Sequence, residues 1–178
     1  MQQDFLLEIK DLCITFGTRK NAVEVIHGIS LTISPNEIVG IVGESGSGKS
    51  VTSLALMGLL PKKTSTISGT ITFEGKEITN LSEKEFRALR GNDISMIFQE
   101  PMSALNPSLR CGFQVDEILK QHTKLSSSEV KRETLQLFEK VKLPRPKDIY
   151  NSYPHQISGG QMQRVMIAMA IACKPKLL

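Results

Sequence analysis

The residues with the clearest chemistry are Gly43-Glu44-Ser45-Gly46-Ser47-Gly48-Lys49-Ser50. Their order satisfies G-x-x-x-x-G-K-[ST], the pattern of a loop that cradles phosphate. Glycines let a backbone take unusual dihedrals and come close to a ligand. The amides of such a loop, and of the helix behind it, face an anion that the helix dipole favours. Lys49 is spaced to reach the β- and γ-phosphates of a nucleotide, and the Ser50 hydroxyl to sit on Mg²⁺. The plain alternative is a glycine-rich turn that binds nothing. Context separates the two, because the pattern needs a strand leading in and a helix leading out.

Both flanks fit. Ile38-Val39-Gly40-Ile41-Val42 reads as a buried strand. Val51, Leu54, Leu56, Met57 and Leu60 read as a helix that Pro61 stops. Two further polar groups stand at element ends. Ile94-Ser95-Met96-Ile97-Phe98 reads as another buried strand and delivers Gln99 to its C-terminal end. Ligands bind at that end in open α/β sheets, although a lone glutamine there is more simply a solvated strand end. Ser158 can cap a helix whose first turn holds Gly159 and Gly160, and whose body over 165–172 is nearly all apolar and so buried. Glycines weaken a helix. One reason to keep them is close backbone approach to a ligand at an N-terminus suited to phosphate; the other reading is an ordinary turn.

The remaining elements follow from periodicity. Residues 5–34 read as β-structure, with Leu12, Ile14 and Phe16 alternating, then Ile29, Leu31 and Ile33, around a turn at 17–21. Thr70-Ile71-Thr72-Phe73 reads as a strand closed by Gly75. Ser82 with Glu85 forms a capping box for a short helix ending near Gly91. From 100 to 154 the character turns helical. Pro101 and Pro107 bracket an irregular loop, and Val115, Ile118 and Leu119 have helical spacing. Ser126 with Glu129 makes a second capping box, followed by the stripe Val130, Leu137, Phe138 and Val141. Pro144 and Pro146 end that helix. His155, in a Pro-flanked loop, reads as structural or solvated, and Met162, Met166 and Met169 as core.

Composition narrows the class. The chain has 178 residues, 40% hydrophobic and 22% charged, which suits one globular domain with a real core. The net charge of +4 is scattered, so it describes a solvated surface and not a nucleic-acid footprint. Cys13, Cys111 and Cys173 are far apart with no C-x-x-C, which indicates neither a disulfide framework nor a zinc site and suits a reducing cytosol. The first residues lack the basic-then-apolar layout of a signal peptide. No run approaches the ~20 apolar residues of a membrane span, so any membrane role is expected to come through a partner.

Taken together, the phosphate loop, Gln99 after an apolar strand and Ser158-Gly159-Gly160-Gln161 resemble, in order and interval, the nucleotide-binding subunits of ABC transporters. The last stretch is similar to the family's signature motif, with Ile157 where Leu is usual. Met96-Ile97-Phe98-Gln99-Glu100-Pro101-Met102-Ser103-Ala104-Leu105-Asn106-Pro107, Glu44 and Tyr153-Pro154-His155 resemble the importers of peptides and nickel. The resemblance covers essentially the whole chain. It implies an α/β fold: a P-loop NTPase core with an antiparallel β subdomain, an inserted helical subdomain and an incomplete core sheet. The implied division is about 1–99 for the β subdomain and P-loop core, 100–157 for the helical subdomain, and 158–178 for the signature helix and return to the core.

The resemblance also implies roles. Phe16 would stack on adenine, although it shares a strand face with Leu12 and Ile14 and is equally a core residue. Gly43, Glu44, Ser45, Gly46, Ser47, Gly48, Lys49, Ser50 and Val51 would hold the phosphates of ATP. Ser50 and Gln99 would bind Mg²⁺, and Lys49 and Gln99 would be the catalytic groups. Gln99 would also relay the nucleotide state through the helical subdomain to a membrane-spanning permease subunit. Ser158, Gly159, Gly160 and Gln161 would contact the γ-phosphate bound on a second nucleotide-binding subunit, identical or not, in a head-to-tail dimer. The implied setting is the cytoplasmic face of the membrane as a peripheral subunit, with an extracytoplasmic binding protein as an indirect partner.

One part of the family pattern is missing. Hydrolysis calls for an apolar strand ending in Asp then Glu, and a further His. The only Asp-Glu pair is Asp116-Glu117, in the helical stretch, where it does not fit. The chain stops at Lys176-Leu177-Leu178, where by resemblance the two leucines begin that strand. The expectation is therefore part of an ABC ATPase subunit, with an exposed sheet edge, weak nucleotide binding and poor turnover. A general base alone is worth about 10²–10⁴ in rate. The alternative is a truncated nucleotide-binding module without turnover. Other phosphate-loop enzymes fit less well: a GTPase would want Asn-Lys-x-Asp, which is absent, and a small-molecule kinase has no need of residues 158–161.

Overall fold

The computed structural model describes residues 5–17, 21–100 and 104–178. The chain divides into two compact units, Met1–Phe86 and Arg87–Leu178. Residues 18–20 of the expected first turn, and Pro101, Met102 and Ser103 of the importer-like stretch, lie outside the described residues.

The first unit is built on a four-stranded sheet of β1 (Leu7–Phe16), β2 (Val23–Ile33), β3 (Ser65–Phe73) and β4 (Lys76–Glu77), in the order β2-β1-β3-β4. Every neighbouring pair is antiparallel, with Ile9 opposite both Leu31 and Ile71. Leu7, Ile9, Leu12 and Ile14 of β1 are all buried, although strict alternation would put the second pair on the opposite face from the first. A bulge at Lys10-Asp11 resolves this by shifting the register against both neighbours. Asp11 takes φ 47°, and its amide donates to Ser30 Oγ at 2.9 Å. Gly69 faces the bulge at φ +85°, where a Cβ would stand 2.3 Å from the Asp11 carbonyl oxygen.

Helix α1 (Lys49–Leu56) follows the phosphate loop. It ends earlier than Pro61, because Gly58 at φ +61° closes a Schellman motif. The Gly58 amide donates to the Ala55 carbonyl, and the Leu59 amide to that of Leu54, both at 2.9 Å. Helix α2 (Glu83–Leu89) begins at the expected box. Glu85 Oε2 accepts from the Ser82 amide at 2.9 Å and from its hydroxyl at 2.8 Å. Those bonds hold the Glu85 carboxyl below its ordinary range.

Two expected strands do not form as such. Residues 38–42 join no ladder among the described residues; Ile38 is 99% and Val42 97% exposed. Of 94–98 only Ile94 is buried and paired, by parallel bridges to Arg90 and Leu177, while Ile97 and Phe98 are exposed. An apolar run becomes a buried strand only when neighbours supply hydrogen bonds on its edges and cover on its faces. Around 94 that supply is one short strip: the Lys176 amide donates to the Asp93 carbonyl at 2.9 Å, and the Ser95 amide to that of Leu177 at 2.9 Å. The α/β class with a small antiparallel sheet and an incomplete core sheet is thus as expected.

The second unit packs α3 (Cys111–His122), α4 (Ser127–Lys140), α5 (Pro146–Asn151) and α6 (Gly159–Ile171), with a 3₁₀ turn at Pro154–Gln156. Val115, Leu119, Val130, Phe138, Val165 and Ala168 form its core. Met162 and Met166 are buried, as their spacing suggests. Ser126 and Glu129 make the second capping box. Asp116 is 5% exposed and accepts from Thr134 Oγ1 of α4 and Tyr150 Oη of α5, each at 2.6 Å. The Asp-Glu pair of the sequence therefore supplies a packing group that joins three helices. Burial pushes the Cys111 thiol up to about 11.

Candidate functional site

The phosphate-loop residues lie in the first unit. Residues 43–48 are irregular, with Gly46 at φ 84° and Gly48 at φ 90°. A side chain at Gly46 would meet nothing within 4 Å, so its requirement is conformational. Gly48 is buried: a Cβ there would stand 2.2 Å from Ile26 Cδ1 of β2, so the missing side chain lets the loop seat against the sheet. Gly43 has a similar reason, since a Cβ would reach Ser47 Oγ at 2.6 Å.

Gly48 is also the N-cap of α1, left-handed and without a side-chain cap. The first-turn amides of α1 thus receive no capping acceptor from that residue, which suits an outside anion. Lys49 folds back over the loop. Its Nζ donates to the Gly43 carbonyl at 2.8 Å, the Glu44 carbonyl at 2.7 Å and Ser47 Oγ at 3.2 Å. The ammonium thereby sits within the loop's own ring of carbonyls, next to the uncapped helix end. Ser50, Glu44 and Ser45 are exposed, and Val51 is half-buried. Phe16, at the end of β1 opposite Val23 and Ser65, is half-buried where Leu12 and Ile14 are fully so.

This donor set fits a polyphosphate: one cation, left-handed glycines and a helix N-terminus. The exposed Ser50 hydroxyl is an oxygen of the kind a hard cation takes. Among the described residues no group of three or more His, Cys, Asp or Glu could hold a metal ion, so a cation here would depend on ligand oxygens.

Gln99 and residues 158–161 lie in the second unit. Gln99 is exposed, on a backbone that runs out of regular structure after Ile94. Ser158 caps α6: its Oγ accepts from the Gln161 amide at 3.3 Å, and its amide donates to Gln161 Oε1 at 2.8 Å. Gly159 and Gly160 are exposed, and added Cβ atoms would meet nothing within 4 Å. Neither has a positive φ, so nothing within the described chain requires glycine at either position. Arg164 ties the helix to the Lys142 carbonyl. Before the cap, Tyr153 and His155 stack with ring centroids 5.6 Å apart, so His155 takes part in a surface ring pair. The self-tether of Lys49 and the seat of Gly48 on Ile26 are contacts that no residue pattern signals.

Known proteins resemble this chain in sequence and in fold. The family model described as ABC transporter matches residues 26–178. The oligopeptide transport ATP-binding protein OppD of Bacillus subtilis (strain 168) is 48% identical over 174 residues, 97% of this chain and 49% of that protein. OppD of Escherichia coli (strain K12) is 48% identical over 177 residues, 99% of this chain and 52% of that protein. The dipeptide transport ATP-binding protein DppD of Haemophilus influenzae is 47% identical over 173 residues, 97% of this chain and 52% of that protein. The chain spans about half the length of these relatives. Among solved structures, the ATP-binding cassette MJ0796, as a dimer in a post-hydrolysis state bound to ADP and Pi, matches with a TM-score of 0.83 at 27% identity. That match covers 95% of this chain and 70% of the other.

Proposed function

Since this chain belongs to the ABC transporter family, we propose that it binds ATP as part of the motor subunit of a peptide importer. The peptide reading is supported by the names of the relatives, oligopeptide and dipeptide transport ATP-binding proteins, more than by any residue. In this reading residues 43–51 hold the phosphates and Phe16 lies against the base. Ser50 and Gln99 hold Mg²⁺, which supplies charge neutralisation on the phosphates. Ser158, Gly159, Gly160 and Gln161 meet the γ-phosphate of a second subunit. The membrane-spanning partner, the cytoplasmic-face location and the division at about 99 and 157 belong to the same proposal.

The observation that carries it is Lys49. Its ammonium is held at 2.7–3.2 Å by two carbonyls and one hydroxyl of the loop, beside an uncapped helix end. Phosphate oxygens would find that charge already in place, and a charge-assisted bond there is worth about 1.5–3 kcal/mol. The chain's own residues do the binding and orienting. Asp116 is occupied by Thr134 and Tyr150, so water activation is not assigned to it.

The test is equilibrium binding of a fluorescent ATP analogue with Mg²⁺ to the chain and to Lys49→Ala, with circular dichroism to confirm that both fold. We expect the variant to lose about tenfold or more in affinity. Equal affinity in the two proteins would overturn the reading.

A further inference from the structure

The N-terminal half of α3 carries two buried polar side chains, Gln114 and Asp116, both 5% exposed. Each is fully employed, and each reaches a different part of the chain. Gln114 Oε1 accepts from the Asn106 amide at 2.9 Å, and its Nε2 donates to the carbonyls of Asn106 and Leu109, both at 3.1 Å. It therefore fastens the segment that follows Gln99. Asp116 accepts from Tyr150 Oη at 2.6 Å, and close by the Cys111 amide donates to the Ser152 carbonyl at 2.9 Å. Together these fasten α5, which leads to Ser158.

The path from Tyr150 to Ser158 has little slack. The Tyr153 amide donates to Gln156 Oε1 at 2.8 Å, and the Gln156 amide to the Tyr153 carbonyl at 2.9 Å. Pro154 is buried, and Ile157 packs on the helical core. Gly112 permits the arrangement, because a Cβ there would stand 2.2 Å from Tyr150 Cδ2. Thr134, wholly buried, supplies the second bond to Asp116 and holds the carboxylate in place.

We propose that Gln114 and Asp116 are positioning residues that fasten the segment after Gln99 and the segment before Ser158 to one stretch of α3, so that the two move as one body. Neither residue touches nucleotide in this scheme. The functional meaning rests on the nucleotide reading above: a change sensed at Gln99 would be passed on as a displacement of the α6 N-terminus. The mechanical link itself does not depend on that reading.

The test is peptide-resolved hydrogen–deuterium exchange on the whole chain without nucleotide. Tyr150→Phe removes one bond to Asp116 and keeps the ring. Gln114→Glu keeps the acceptor for the Asn106 amide and loses both donors. For Tyr150→Phe we expect exchange over 152–162 to rise by about tenfold, the scale of one lost charge-assisted bond. The decisive expectation is a rise of about threefold or more over 105–109, the remote segment. Gln114→Glu should show the reciprocal pattern; if it fails to fold, Tyr150→Phe decides alone. A change confined to 152–162, a uniform rise through α4 and α6, or no change would overturn the proposal. The readout contains no nucleotide, so loss of the ATP reading through the Lys49→Ala experiment would leave this result standing, and the reverse.

Discussion

Replacing Gly112 by Ala would add one methyl group and is expected to be costly. Gly112 is buried, and three atoms of the Tyr150 ring lie 2.2, 2.4 and 2.6 Å from where the new Cβ would stand. Carbon atoms settle near 3.5–4.0 Å, so the ring must retreat by roughly 1 Å or more. The Tyr150 hydroxyl is 2.6 Å from Asp116 Oδ2, and a retreat of that size takes the pair beyond hydrogen-bonding range. A lost bond to a charged group costs about 1.5–3 kcal/mol. Overpacking adds about 1–3 kcal/mol. Alanine's better helix propensity returns up to about 1 kcal/mol. The net loss is about 2–5 kcal/mol, which in a unit of this size lowers Tm by about 8 °C or more. Thermal melts followed by circular dichroism read this directly. The same substitution in a Tyr150→Ala background should be neutral or stabilising. A rise in Tm for Gly112→Ala in the wild-type background would refute the packing argument.

Burial, the hydrogen bond to Asp116 and that carboxylate's charge together push the Tyr150 hydroxyl up to about 12. With two tyrosines and no tryptophan in the chain, phenolate absorbance should show one group titrating near 12. The folded value lies above the ordinary 10, so this group's contribution to stability is intact below pH 10 and is lost as pH rises from 10 towards 12; Tyr150→Phe should abolish that part of the alkaline loss. Gly69→Ala places a Cβ against the Asp11 carbonyl at 2.3 Å in a left-handed conformation. We expect about 2–4 kcal/mol of destabilisation of the sheet unit in denaturant titration, and an unchanged midpoint would mean that the bulge can relax.

What is legible in this sequence is what depends on neighbours in the chain. Ser82 with Glu85 and Ser126 with Glu129 form their capping boxes and Ser158 caps its helix, because each of these contacts is completed within four residues. The phosphate loop is equally local: its Gly46 and Gly48 take left-handed conformations of the kind its pattern allows. What depends on distant partners is not legible. Residues 38–42 are as apolar as a central strand, yet composition states only what they would bury and not whether a neighbour covers them. Pro61 is a strong stop in the sequence, whereas Gly58 acts first, at φ +61° with the Phe86 ring packed beside it. Gln114 and Asp116 look, in a helical pattern, like two polar interruptions. Only the fold shows that their partners are Asn106, Leu109, Thr134 and Tyr150.

The bulge in β1 bears on how this sheet can be altered. The buried positions run Leu7, Ile9, then Leu12, Ile14, so the strand is written in two phases offset by one residue. Straightening the bulge with every residue kept would turn one hydrophobic pair out to solvent, whereas deleting either Lys10 or Asp11 would bring the halves into a single phase with all four apolar side chains on one face. Gly69 would then lose its steric purpose, and the position would become open to ordinary side chains with extended backbones.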